Sequence, residues 1–98
     1  MEILLSDNEI LDKINNYHNH NWIWIEIWKM SECEIQIVVT VNKEEMCHLA
    51  DHMVIHVYSA QTDDENDIVE LKTYGKLIAR LIRRKFPDSV VHSRLYYK

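Results

Sequence analysis

His48, His52 and His56 stand four residues apart, with Cys47 and Asp51 among them. On one helix over 43–58 the three imidazoles would share a face, and a pair such as His48 and His52 could chelate zinc. The pattern lacks the glutamate that a helical metalloprotease motif places directly after its first histidine. His56 also belongs to Met53-Val-Ile-His-Val-Tyr58, whose β-branched and aromatic residues favour a strand. Solvated or core-edge histidines are therefore the preferred reading, and neither metal nor cofactor is expected. His18-Asn19-His20 spells the letters of a nuclease motif whose residues are in fact spread over a ββα unit, so the match is coincidental. Cys47 and His48 are adjacent in the chain and do not point at one another. No serine or aspartate cluster suggests a triad, and one glycine cannot build a phosphate-cradling loop. A metal-dependent enzyme is the third reading, behind two kinds of binding.

The residues that could carry binding lie between Asn21 and Met30. Successive strand residues point to opposite faces, so Ile23, Ile25 and Ile27 share one face. Trp22, Trp24 and Trp28, all the tryptophans of the chain, share the other with Glu26. A strand apolar on both faces is either covered twice or covered once and sticky on the other side. Glu26 reads as a partner for Lys29 or as a device against edge aggregation rather than as a general acid. Lys72, Lys76, Arg80, Arg83 and Arg84 recur at helical spacing further on. A solvated helix face is their simplest role, but with the tryptophans they would also suit nucleic acid, phosphates on the basic track and bases on the indoles.

These side chains must be positioned by a single domain of 98 residues, long enough to bury its own core without metal or disulfide. At 47% hydrophobic the chain is not of the disordered class. Two cysteines fit a reducing compartment, and no segment reads as a membrane span or signal peptide, so a cytoplasmic location is expected. The Ile/Asn/Lys-rich, glycine-poor make-up is of the kind met in accessory proteins of low-GC bacteria or their phages, which would place it in a host cytoplasm. Charge is unevenly spread. Residues 1–70 hold fifteen Asp/Glu against three Lys, or −12, and residues 71–98 hold eight Lys/Arg against one Asp, or +7. Such a bipolar chain can steer a charged partner or stack head to tail with itself.

Ser6-Asp7-Asn8-Glu9 is a capping box opening a helix of about ten residues, with Leu5 and Ile10 as its hydrophobic staple. The strand from Cys33 to Val41 alternates with Cys33, Ile35, Ile37, Val39 and Val41 on the core side. A hairpin loop of three to five residues is expected, because no Asn-Gly or Gly-X is present. An odd loop sets Ile25 beside Ile37 and Trp24 beside Val38, leaving the tryptophans outside. An even loop sets Trp28 beside Ile35 and buries them. The odd loop is favoured because the isoleucine faces then meet. Asn42-Lys-Glu-Glu45 suggests a short helix near 43–51, with a strand over 53–58; one helix running to about 59 is the alternative. Thr62-Asp63-Asp64-Glu65 reads as the cap of a helix of roughly 24 residues ending at Phe86, with Gly75 on its buried side. Ser89 to Tyr97 alternates as a last strand, with Val91, Leu95 and Tyr97 on one face.

The fold expected is α+β, in the order α-β-β-(short α)-β-α-β, with a mostly antiparallel four-stranded sheet and the helices on its Ile/Val face. The expected function is non-enzymatic binding of another protein, as a small inhibitor or regulator, or of a second copy as a dimer. Trp22, Trp24, Glu26 and Trp28 would form the contact. Nucleic-acid binding through the basic helix face is the alternative, and no membrane is implicated.

Overall fold

A computed structural model describes residues 1–42 and 51–96. The expected α+β domain is present, with its sheet extended from four strands to five. In chain order the elements are β1 (Glu2–Ile3), α1 (Asp7–Asn16), β2 (Trp22–Lys29), β3 (Glu34–Val41), β4 (Met53–Gln61), α2 (Glu65–Lys85) and β5 (Val90–Arg94). The sheet order is β1-β4-β3-β2-β5. Every pair is antiparallel except β2 and β5, which run parallel. β1, only two residues long, has too little alternation to be read from sequence.

α1 begins as its capping box requires. The Glu9 amide donates to the Ser6 hydroxyl and the Ser6 amide to the Glu9 carboxylate, both at 3.2 Å. Those two Ser6 contacts hold the Glu9 carboxyl below its ordinary range. α2 starts later than Thr62 suggested. Asp64 is the N-cap, accepting from the Asn66 and Asp67 amides, because the Thr62 hydroxyl is engaged elsewhere, on the Glu32 carbonyl at 2.6 Å. Acidic Glu65 and Asp67 lie in the first turn of α2 and Arg83, Arg84 and Lys85 in its last, the arrangement the helix dipole favours.

Residues 53–58 form a strand, so the single helix to residue 59 is excluded. The short helix near 43–51 falls largely outside the described residues. Asn42 has φ of 67°, a left-handed conformation that asparagine tolerates and an N-cap does not use. Its side-chain amide donates instead to the Asp51 carbonyl. β4 contains a bulge: Ile37 faces Tyr58 while Val38 faces His56, so Val57 is the extra residue. Val57 and Tyr58 therefore both join the core.

Both helices pack on the odd-numbered face of β2 and β3. Ile23, Ile25, Ile37 and Val39 meet Ile10 and Ile14 of α1 and Leu71, Ile78 and Ile82 of α2 in one cluster. Gly75 is buried there, as expected. A Cβ added to it would come within 2.8 Å of Leu95 Cδ2 and 3.0 Å of Ile37 Cδ1, so the absence of a side chain is what lets α2 approach. Tyr58 and Tyr74 stack with centroids 3.5 Å apart, and the Tyr74 hydroxyl donates to Asp7. Burial first, and then that carboxylate, hold the Tyr74 phenol far above its ordinary range. No helix among the described residues is long and apolar enough to cross a membrane.

Candidate binding face of the sheet

The tryptophan stripe is placed by the β2–β3 hairpin. Met30 and Ser31 donate to the Glu34 carbonyl at 2.9 and 3.2 Å, and the Cys33 amide donates to the Ser31 hydroxyl. Ser31, Glu32 and Cys33 thus make an odd, three-residue loop. Ile25 lies opposite Val39 and Ile27 opposite Ile37, while Trp24 lies opposite Thr40 and Trp28 opposite Gln36. The register is two residues away from the pairing of Ile25 with Ile37. A shift of two preserves the face, so the tryptophans lie on the side away from both helices.

On that side the stripe is not uniform. Trp24 is only 4% exposed, whereas Trp22 and Trp28 are half-buried. What covers Trp24 includes β5, whose even-numbered residues lie on the same face. The His92 ring stacks on Trp24 with centroids 4.4 Å apart and lies 6.0 Å from Trp22. The Arg94 guanidinium sits 4.6 Å above the Trp24 ring, a cation–π contact. Val38 and Thr40, on the same face, are 0% and 2% exposed. Trp24, Val38 and Thr40 therefore make a second small core, and the centre of the stripe is structural.

Around this core lies a polar rim. Trp28 meets His56 edge-on at 6.1 Å. His56 Nδ1 is 2.7 Å from Gln36 Oε1, the Gln36 amide donates to Glu34 at 3.4 Å, and the Ser59 hydroxyl also donates to Glu34. His92 Nε2 and Thr40 Oγ1 are buried with no hydrogen-bond partner among the described residues. Glu26 is half-buried and has Arg94 of β5 as its register neighbour. β2 is interior to the sheet, so Glu26 does not guard an edge, and Lys29, three residues along the strand, lies on its other face. His56, His92 and Arg94 were missed as members of this face. The parity of 89–97 already separated His92 and Arg94 from Val91 and Leu95, but the neighbour of that strand could not be read.

The basic residues lie elsewhere. Lys76, Arg80, Arg83 and Arg84 are exposed on α2 and Lys72 is half-buried, in the layer on the other side of the sheet from the tryptophans. One of them is committed to the fold, since the Arg83 guanidinium donates to the Val91 carbonyl at 3.2 Å. The basic track and the indoles thus do not form one continuous platform. Of the histidine series, His48 lies outside the described residues, and His52 and His56 are exposed along an extended segment rather than one turn of a helix. No group of three or more His, Cys, Asp or Glu side chains that could hold a metal ion occurs among the described residues. No family model, no curated protein and no solved structure matches this chain.

Proposed function

We propose that the chain is a non-enzymatic protein-binding module, a small inhibitor or regulator, that receives its partner on the sheet face away from the helices. The observation that carries this reading is the pair of half-exposed indoles, Trp22 and Trp28, held at either end of a buried Trp24. Large aromatic side chains fixed by a rigid strand lose little entropy on binding and are enriched among the residues that dominate interfaces. Trp24 acts from beneath, fixing the plane on which the contact is made. Glu26, Glu34, Gln36 and His56 supply the polar rim that orients a partner, with the buried Ser59 hydroxyl holding Glu34 in place.

The test is affinity capture from cell extract with the wild-type chain as bait, then titration of the recovered protein against purified variants. Trp22→Ala with Trp28→Ala is expected to weaken binding by at least about tenfold, close to 1.4 kcal/mol, while the chain stays folded and its melting midpoint falls less than that of Trp24→Ala. Equal affinity of wild type and double variant would remove this face as the interface. Recovery of nucleic acid instead, lost on charge reversal at Lys76 and Arg80, would move the function to α2.

A further inference from the structure

Among the described residues the sheet ends in β1 on one side and β5 on the other, two edges unlike in charge that both direct main-chain amides outward. We propose that these edges bind each other between copies of this chain, head to tail, with β1 of one copy adding antiparallel to β5 of the next. This contact is separate from the tryptophan face and does not depend on it.

α2 is the element that makes the edges opposite. Its first turn lies beside β1, where Asp67 meets the Met1 ammonium at 3.1 Å, and its last turn lies beside β5, where Arg83 holds the Val91 carbonyl. Exposed Glu2, Asp63, Asp64, Glu65 and Glu70 therefore gather at the β1 end, with the ammonium offsetting one charge. Exposed Arg80, Arg83, Arg84, Lys85 and Arg94 gather at the β5 end, against exposed Asp88 and half-buried Glu26. A two-fold pairing of β5 with β5 would face these arginines with their own copies, and β1 with β1 would do the same for the acids. Only unlike edges attract, and a contact between unlike edges is heterologous.

Strand polarity agrees with the charges. β5 runs with β2, β3 runs against it, β4 runs with it and β1 runs against it. A second copy moved sideways in the plane of the sheet thus brings β1 beside β5 antiparallel, with its helices still on the same side. The acidic first turn of α2 in one copy then lies next to the basic last turn of α2 in the other, so the helix dipoles also run head to tail.

The main chain at each edge has groups to offer. The Val90 amide bonds to Asn21 of the neighbouring strand segment, so by alternation Val91 and Ser93 direct theirs outward. Leu4 bonds inward to Val57, which leaves those of Ile3 outward. Large apolar side chains accompany both, Ile3 at 63% exposure on one edge and Val90 and Tyr96 at 42% and 67% near the other. The ladder available is short, and Arg83 already takes one carbonyl of it. The association is accordingly weak, reversible and dependent on the charges.

Proline tests each edge separately, because it removes an outward amide and is tolerated on edge strands. Sedimentation velocity of the full chain at low salt should show mass growing with concentration beyond a dimer. About 1 M salt, where the screening length falls to roughly 3 Å, should return it to monomer. Ser93→Pro and Ile3→Pro should each be folded by circular dichroism and each be monomeric, while their equimolar mixture forms a one-to-one dimer that grows no further. Glu2→Lys with Glu70→Lys provides a second way to disable the acidic edge, without altering the main chain, and should also give a monomer. A wild type that stays monomeric at every salt concentration overturns the proposal. So does association that survives both prolines, or a proline variant that still dimerises with itself.

Discussion

Trp24→Ala is expected to lower the free energy of unfolding by about 3–5 kcal/mol, the range for removing a large buried aromatic. A denaturant melt measures it. The loss comes from three sources that act together at this position: the cavity beside Val38 and Thr40, the ring on which His92 stacks, and the face over which Arg94 rests. Trp22→Ala and Trp28→Ala, on half-buried residues of the same stripe, should each cost well under half as much. A Trp24→Ala chain with the wild-type midpoint would mean that this face has no core of its own, and Trp24 would return to the list of accessible contact residues.

The second large effect is expected at the sheet–helix seam. Ile37→Ala removes a fully buried side chain from an interior strand and should cost about 2–5 kcal/mol. Gly75→Ala alone should change stability little, because the new methyl meets only the Cδ ends of Leu95 and Ile37, which can turn aside, and an overpacking cost of about 1 kcal/mol offsets the roughly 1 kcal/mol gained in helix propensity. Together the two changes should be less harmful than their sum, since the methyl then occupies space that the isoleucine vacated. A double-mutant cycle by thermal or chemical unfolding reads the coupling. Strict additivity would show that α2 stands further from the sheet than Ile37 requires.

Much of this architecture is local and could therefore be read from the chain. The Ser6–Glu9 box, the isoleucine face of β2, the alternation of β3 and the buried side of α2 each depend on residues only a few positions apart. The parity of the hairpin was legible for the same reason, through the meeting of isoleucine faces, but its register was not, because shifts of two residues keep every side chain on its face. What local pattern could not supply was adjacency. Nothing in residues 89–97 says that this strand lies beside β2, parallel to it, and so nothing foretold that His92 and Arg94 would close over Trp24. The same gap let the tryptophan stripe look uniform in sequence when its middle member is buried. Thr62 misled in a different way, since a hydroxyl able to cap a helix was drawn to a carbonyl thirty residues earlier.

The parallel pairing of β5 with β2 also fixes an order of assembly. Trp22 and Val90 are 68 positions apart (90 − 22), whereas Lys29 and Ile35 of the hairpin are 6 apart (35 − 29). Chain-closure entropy scales with the logarithm of that separation, so docking β5 carries an extra cost of about 2 kcal/mol that no neighbouring turn offsets. β5 then zips on after the β2–β3–β4 meander during refolding and opens before it in the native ensemble. Because its docking buries Trp24, indole fluorescence during refolding should trail the far-ultraviolet signal of the hairpins. The amides of Val90, His92 and Arg94 should exchange with solvent deuterium sooner than those of β3. Simultaneous optical phases with equal exchange would mean instead that the chain closes in a single step.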